Sequence, residues 1–345
     1  LENHGREASD VCVGTVDSWL IWKFTGGKVH ATDRSNASRT QLFNLAESRW
    51  DDELCALFKV PVSALPKVQD SAHVFGETRG AGVLPDGIAI ASAIGDSHAA
   101  LFGHGAFRSG DGKVTFGTGS SVMTTIPEFI VPPAGITTTI AWSLDGTSTY
   151  AFEGNILVSA SILPWTAEFL GLPGVVELLE LARSVPDSNG VTLVPAHVGL
   201  GSPHWASDAR GLISGLSFGS KPAHLCRAAA ECMALQVEDV FSIMSQGDLR
   251  MGKLYVDGGP SRNRFLMQLV ADYIDHPVTP CRNPEASALG AAHLAGLATG
   301  FWPDIDALAG LSSHEAEIVP DAPPGARAAG LDAWRKAVAR TKLDL

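Results

Sequence analysis

Short apolar runs alternate with longer amphipathic segments along this chain, which is typical of α/β proteins. The run over residues 87–94 (GIAIASAI) predicts a strand, and a helix is predicted to begin close behind it, near residue 99. Residues 113–116 and 122–126 predict the two strands of a hairpin. Further strands are predicted over 148–152, 191–195 and 253–256, and helices over 51–58, 154–171, 174–184, 222–244, 261–275, 285–299 and 326–342.

Asp96 stands where the first of these strands gives way to a helix. In open α/β sheets, ligands bind outside the carboxyl ends of the strands, so the carboxylate is a candidate base that accepts a hydroxyl proton. Aspartate is also a favoured helix N-cap, which is the more common role for such a residue. Taken alone, the position leaves both roles open.

Two glycine loops favour an anion site. Gly117-Thr118-Gly119 forms the tip of the predicted hairpin, where backbone amides without neighbouring Cβ atoms can approach a phosphate and the Thr118 hydroxyl adds a donor. The second loop, residues 257–260 (DGGP), lies between a strand and a helix whose N-terminus offers unpaired N–H groups. Each loop alone is also compatible with an ordinary turn.

The aspartate and the two loops together resemble the sugar kinases of the FGGY carbohydrate kinase family, whose fold is that of actin and hexokinase. Glycerol kinases are the most similar members, and the resemblance spans nearly the whole chain. Residues 211–236 match the C-terminal signature pattern of the family. Other matching segments are residues 14–23 (GTVDSWLIWK), 32–40 (TDRSNASRT), 209–211 (ARG) and 288–292 (ALGAA).

This resemblance implies a two-lobed α/β kinase of the actin/hexokinase (ribonuclease H-like) fold with an incomplete first lobe. Residues 1–103 are expected to be the remaining part of the N-terminal substrate-binding lobe, and residues 104–345 the C-terminal nucleotide-binding lobe. The implied reaction is phosphorylation of a terminal hydroxyl of a small polyol or sugar, with ATP and Mg²⁺. Phosphoryl transfer requires in-line positioning, neutralisation of charge and a base, with little covalent chemistry by the protein.

The site residues implied by the resemblance fall into two groups with separate tasks. Asp96 matches the general base that takes the proton from the attacking hydroxyl. The nucleotide is assigned to residues beside the ATP phosphates and the adenosine, namely Gly117, Thr118, Gly119, Gly258, Gly259 and Asn263.

The chain departs from glycerol kinases around the expected substrate. Those enzymes have Gln and Phe where this chain has Ser97 and Ser121. Smaller walls that carry hydroxyls favour a longer or more hydroxylated acceptor, so a tetritol (erythritol or threitol) or a pentulose (xylulose or ribulose) competes with glycerol. Either serine is also compatible with simple drift near a pocket completed elsewhere. Pro164 replaces a glutamine on the nucleotide side and predicts a kink or a first-turn position in its helix.

Two other functions are also compatible with the sequence. Residues 95–99 (GDSHA) approximate the nucleophile elbow of a serine hydrolase with Ser97 as nucleophile, which would leave both glycine loops unexplained. A catalytically silent family member that binds ATP is a further alternative. The sequence contains no Walker A motif and no G-x-G-x-x-G, so P-loop and Rossmann sites are disfavoured.

The composition of the chain limits the classes of partner that it is expected to bind. The chain has 25 Lys and Arg against 37 Asp and Glu, a net charge of −12, which disfavours nucleic-acid binding and suits a small-molecule partner. No apolar run reaches the roughly 20 residues of a membrane span. The five cysteines show no disulfide or metal-ligand spacing, so we expect reduced thiols, a cytoplasmic location and no protein-bound metal site. A homo-oligomer remains possible.

The chain begins with Leu1, and the family resemblance starts partway through the N-terminal domain. We therefore expect a truncated chain that lacks the family's opening phosphate hairpin. Such a fragment is expected to fold but to be weak or inactive alone.

Overall fold

A mixed six-stranded sheet forms the centre of the protein, whose computed structural model describes residues 11–247 and 249–342. The helices are α1 (Val16–Phe24), α2 (Arg34–Ala37), α3 (Asp52–Leu57), α4 (Asp96–Gly103), α5 (Ile162–Phe169), α6 (Val175–Arg183), α7 (Pro222–Met244), α8 (Arg264–Ile274), α9 (Ala286–Ala298) and α10 (Pro324–Thr341). The strands are β1 (Ala31–Asp33), β2 (Phe43–Asn44), β3 (Arg49–Trp50), β4 (Lys67–Gln69), β5 (Ala72–Glu77), β6 (Ala89–Ser92), β7 (Gly112–Phe116), β8 (Ser120–Ile126), β9 (Thr137–Leu144), β10 (Thr147–Ile156), β11 (Thr192–Val194), β12 (Leu212–Ser214), β13 (Leu254–Gly258) and β14 (Val278–Pro280).

The strand order of the large sheet is β14-β13-β7-β8-β10-β9. β7, β13 and β14 run parallel, whereas β7, β8, β10 and β9 form an antiparallel set. Val114, Val122 and Val256 on the central strands are completely buried, and α7 packs over this part of the sheet. α7 begins at Pro222, whose fixed φ suits the first helical position.

The chain before β7 builds smaller sheets, in which β1 pairs with β4 and β5 pairs with β6. Its last helix, α4, packs closely against α9. A Cβ on Gly103 would lie 2.1 Å from the Ala286 carbonyl oxygen, and one on Gly290 would lie 1.8 Å from that of Ala99. Glycine at these two positions therefore lets the backbones of α4 and α9 come into contact, which explains the small-residue composition of α9.

Most elements predicted from the sequence are present, including the hairpin of β7 and β8 and the full extent of α7. The helix predicted over residues 154–171 is wrong at its start, because β10 continues to Ile156 and α5 begins only at Ile162. Pro164 lies in the first turn of α5, where its missing N–H costs no helical hydrogen bond. No helix in the described part of the chain has the length and apolar character that spanning a bilayer requires.

Candidate active site

Parallel pairing of β7 with β13 places the two glycine loops side by side. Gly258 at the end of β13 is in register with Phe116 at the end of β7, so both loops leave the same edge of the sheet. Gly258 has φ of +88°, and a Cβ there would lie 2.0 Å from the carbonyl oxygen of Phe116. Only glycine fits this position without moving the neighbouring strand.

The Gly-Thr-Gly tip is a tight turn between β7 and β8, closed by a 2.8 Å hydrogen bond from Gly117 N to the Gly119 carbonyl. Gly117 and Thr118 are exposed at its outer surface. From behind, Ser159 N and Ser161 Oγ each donate to the Thr118 carbonyl at 2.8 Å. The tip is therefore held from one side and open on the other, as an anion-binding loop requires.

The diglycine loop leads into a 3-10 turn (Gly259–Arg262) and then into α8. A Cβ on Gly259 would meet nothing within 4 Å among the described residues. Asn263 caps α8, its Oδ1 accepting from Phe265 N at 3.0 Å and Leu266 N at 3.3 Å. The Asn263 oxygen also accepts from Arg183 Nη2 at 3.1 Å, and the Asn263 amide nitrogen makes no hydrogen bond within the described residues.

Asp96 is the first residue of α4 and is exposed. Gly95 occupies the N-cap position and makes no side-chain cap, so the capping role weighed from the sequence does not apply to Asp96. One Asp96 oxygen, Oδ1, accepts from Ser97 N at 2.6 Å, and the Asp96 carbonyl accepts from Ser287 Oγ of α9 at 2.9 Å. The backbone is fixed while the carboxylate remains open to solvent.

Ser97 and Ser121 are hydrogen-bonded to each other and to a lysine, Lys113, that the sequence did not point to. Ser97 Oγ donates to Ser121 Oγ at 3.1 Å, which joins α4 to β8. Lys113 Nζ donates to Ser97 Oγ at 2.7 Å, to Thr115 Oγ1 at 2.9 Å and to Ser121 Oγ at 3.4 Å. A lysine as the first residue of a predicted strand, directly before Val114, was the available signal, since a lysine is rarely buried without partners.

Burial lowers the pKa of Lys113 from 10.5 to about 8, while the negative charges of Asp257, Glu153 and Asp96 oppose the loss of its proton. The lysine is completely buried and still mostly protonated at neutral pH. A desolvated positive charge therefore lies close enough to Asp96 and Asp257 to interact with both carboxylates.

Lys113 predicts a pH dependence of stability. The unfolded chain keeps this proton up to about pH 10.5 and the folded chain loses it near pH 8, so between these values the unfolded state binds more protons. The contribution of Lys113 to the free energy of unfolding should therefore rise with pH between about pH 8 and pH 10.5, and it should be constant below pH 8. Urea unfolding of wild type and Lys113→Met across the window should show a smaller rise in the variant. The exposed Lys23→Met is the control, and equal slopes in all three proteins would contradict the prediction.

Asp257 is a second group whose role the sequence did not reveal. Its Oδ2 lies 2.7 Å from His104 Nε2, and both side chains are buried. Burial alone would raise the pKa of Asp257, but the hydrogen bond and charge of His104, together with Thr115 and Lys113, hold it below the usual value. Asp257 is thus an anion at the end of β13, immediately before the two glycines.

The N-terminus of α4 is fixed by contacts from both sides. Gly95 N donates to Ser35 Oγ at 3.0 Å, and His98 Nε2 lies 3.1 Å from Thr139 Oγ1 on β9. Burial, followed by the charges of Arg39 and Lys113, lowers the pKa of His98 to about 3, so its ring is neutral. These contacts hold Asp96 at the junction of the two halves of the chain.

Comparison with known proteins shows the family to which the chain belongs. Residues 2–103 match the model of the N-terminal domain of the FGGY family of carbohydrate kinases, and residues 112–299 match that of the C-terminal domain. This chain belongs to the FGGY family of carbohydrate kinases. It is therefore an ATP-dependent kinase of a sugar or polyol, with a small-molecule substrate and the two-lobed actin/hexokinase-like fold expected from the sequence.

Several relatives show how far the similarity extends. The kinase is 45% identical over 337 residues to the apulose kinase of Pectobacterium atrosepticum, covering 97% of this chain and 68% of the relative. It is 42% identical over 335 residues to the glycerol kinase of Bacillus subtilis, covering 96% and 68%. The crystal structure of Plasmodium falciparum glycerol kinase with ADP superposes with a TM-score of 0.90 at 30% identity, covering 97% of this chain and 67% of that one.

Proposed function

We propose that this kinase transfers the γ-phosphoryl group of ATP to a terminal hydroxyl of a small polyol or sugar, with Asp96 as the general base. The observation that carries the proposal is the convergence of three features at one junction. They are the solvent-exposed Asp96 carboxylate, the group of Ser97, Lys113 and Ser121 that hydrogen bonds join, and the two adjacent glycine loops. The first lies on the residues 1–103 side and the loops on the residues 104–345 side, which we take as the two lobes.

In this proposal the nucleotide lies along the shared edge of β7 and β13. Gly117, Thr118 and Gly119 would contact its phosphates, because their outer surface is open and their backbone is held from behind. Gly258, Gly259 and the amide nitrogen of Asn263 would line the adenosine, since a side chain on Gly259 would point into open space. Mg²⁺ would neutralise phosphate charge when bound, keeping several of its waters as it usually does at such sites.

Proton transfer is the step assigned to Asp96. A free carboxylate oxygen accepts the hydroxyl proton as the alcohol oxygen attacks the γ-phosphorus and the bond from that phosphorus to ADP breaks. The hydrogen bond from Ser97 N to Oδ1 orients the carboxylate, and the one from Ser287 Oγ to the Asp96 carbonyl fixes the backbone. The Lys113 ammonium keeps a positive charge beside the region where negative charge gathers. Exclusion of water by closure of the two lobes completes the proposed mechanism.

Ser97 and Ser121 are the residues we propose to select the acceptor. They are half-buried, hydrogen-bonded to each other and to Lys113, and smaller than the two side chains that glycerol kinases carry at these positions. This polar wall suits an acceptor with more hydroxyls than glycerol, such as a tetritol or a pentulose. The 45% identity to an apulose kinase, beside 42–44% to glycerol kinases, supports a sugar as strongly as glycerol.

A larger side chain at position 121 is expected to change acceptor preference. Ser121→Phe should lower kcat/KM for the larger acceptor relative to glycerol by roughly 10- to 200-fold, the range that a change of pocket volume typically gives. The measurement is the ratio of kcat/KM for two acceptors in wild type and variant. Ser120→Ala serves as a matched control, because Ser120 Oγ bonds to Ser159 and not to the lysine group. An unchanged ratio in Ser121→Phe would remove Ser121 from the acceptor site.

A coupled assay of ADP release tests the function itself. The full-length protein is purified and incubated with ATP, Mg²⁺ and, separately, glycerol, erythritol, threitol, xylulose, ribulose and apulose. Stimulation of ADP release by one acceptor, with formation of its phosphate ester, supports the proposal. ATP binding with no stimulation by any acceptor would instead favour a catalytically silent member.

The serine hydrolase alternative gains no support from the site. Within the described residues, Ser97 Oγ contacts Lys113 and Ser121, and no histidine reaches it. Ser97→Ala should therefore alter acceptor preference without abolishing ATP-dependent transfer. All five cysteines are free, which together with ATP use leads us to propose a cytoplasmic location.

A further inference from the structure

A cluster of metal-ligating side chains lies behind the proposed nucleotide loop and is not used by the phosphoryl-transfer chemistry. We call His104, Cys281 and His314 the His–Cys–His cluster. One ligand atom from each of these residues lies within 4.8 Å of the other two. Around a zinc ion, bound nitrogen and sulfur ligands lie roughly 3.5 Å apart, so only a small closure would be needed.

The fold brings Cys281 and His314 together by strand pairing. They face each other in an antiparallel bridge just beyond β14, where Arg282 N donates to the Ser313 carbonyl at 3.0 Å and Glu315 N donates to the Pro280 carbonyl at 2.8 Å. Residues directly opposite in such a bridge project their side chains to the same face. The two ligands are therefore preset by the backbone.

His104 reaches the same point from the end of α4. Ser312 Oγ donates to the Gly103 carbonyl at 2.6 Å, which fixes the end of α4 against the segment that carries His314. The Tyr255 ring stacks on both histidines, with ring centroids 5.7 Å from His104 and 4.6 Å from His314. This stacking fixes the planes of both imidazole rings without a bound ligand.

Each histidine of the cluster has one buried ring nitrogen that makes no hydrogen bond within the described residues. Its ring is completely buried, and Nε2 is bonded to Asp257 Oδ2 at 2.7 Å. Nδ1 is buried and, within the described residues, has no hydrogen-bond partner; the same holds for Nε2 of His314. Leaving such nitrogens unpaired is costly, whereas a metal ion would use both lone pairs. A carboxylate that accepts from the far nitrogen is the usual outer partner of a metal-bound histidine.

We propose that the His–Cys–His cluster binds one divalent transition-metal ion of the Zn²⁺ class. Two imidazole nitrogens and one thiolate are ligands that Zn²⁺ favours, and three protein ligands leave a fourth position for water. As the metal bonds form, the Cys281 thiol proton and the Nδ1 proton carried by charged His104 are released to solvent, with no change of oxidation state. Cys281 also lines an open cleft of about 560 Å³ with Ser261 and Arg282, which gives the ion a route of entry.

This site has no signature in the sequence. His104 follows α4, while Cys281 and His314 lie far along the chain on either side of α9, so no short ligand spacing exists. The expectation of no metal site, drawn from cysteine spacing, is therefore replaced by this proposal. Occupancy would tie the end of α4 to the strand that precedes the diglycine loop, through the bond of His104 to Asp257.

Metal binding can be measured without reference to activity. The purified protein is stripped with a chelator, dialysed and titrated with Zn²⁺ against a chromogenic competitor, and separately loaded with Co²⁺. We expect one Zn²⁺ per chain and a thiolate-to-cobalt charge-transfer band in the near ultraviolet. Cys281→Ser and His314→Gln should each weaken Zn²⁺ binding at least about tenfold, and Cys281→Ser should abolish the band.

Matched controls are Cys12→Ser and His73→Gln, which remove an exposed thiol and a half-buried imidazole elsewhere in the chain. Both should keep the wild-type stoichiometry and the cobalt band. Because Cys281 and His314 are partly exposed, their variants should fold, and circular dichroism of each variant verifies this. Absence of Zn²⁺ binding by the wild type, or a cobalt band that survives in Cys281→Ser, would overturn the proposal.

Discussion

Replacing Asp96 by Asn is expected to lower kcat for phosphoryl transfer by about 10²- to 10⁴-fold, the range that a positioned general base contributes. The amide cannot take the proton of the attacking hydroxyl. It can still accept from Ser97 N through its oxygen, so the start of α4 should persist. The measurement is acceptor-dependent ADP release, with the ATP dissociation constant determined in parallel.

Asp52→Asn is the matched control, because Asp52 is likewise an exposed aspartate at the first position of a helix, α3. That variant should retain wild-type kcat. Asp96→Asn should keep the wild-type melting temperature and bind ATP within a few fold of wild type, which separates a lost base from a lost fold. A decrease of kcat smaller than tenfold in Asp96→Asn would remove Asp96 from the role of base.

Local sequence signals were sufficient for the elements that carry the candidate site. The Gly-Thr-Gly hairpin has strands whose propensity and turn residues agree, and α7 begins at a proline and follows a helical apolar pattern. The end of β10 was not predictable in this way. Residues up to Ile156 stay extended because Ile156 pairs with Ser120 of β8, a contact that depends on tertiary structure.

Contacts between distant residues explain what the sequence could not reveal about the site. Ser97 and Ser121 were recognisable as departures from glycerol kinases, but the lysine that joins them became visible only once β7 and α4 were placed together. The pair of His104 and Asp257 links positions 153 residues apart. From its sequence position, Asp96 was a candidate for a general base and for a helix N-cap. The structure excludes the N-cap role, because Gly95 occupies that position.

The two neighbouring glycines of the second loop should respond differently to the same substitution. Gly258→Ala places a methyl group 2.0 Å from the Phe116 carbonyl at a φ of +88°. We expect the free energy of unfolding to fall by at least roughly 1–3 kcal/mol from backbone strain alone, and ATP binding to weaken as β7 and β13 separate. Urea unfolding and ATP titration measure these two effects.

Gly259→Ala is the matched variant. Its methyl group meets no described atom within 4 Å, and its backbone is not in the left-handed region, so the free energy of unfolding should stay within about 0.5 kcal/mol of wild type. If the nucleotide lies against this loop, the same methyl group occupies its space and ATP affinity should fall while stability does not. Wild-type ATP affinity in Gly259→Ala would place the nucleotide elsewhere, and wild-type stability in Gly258→Ala would contradict the close pairing of the two loops.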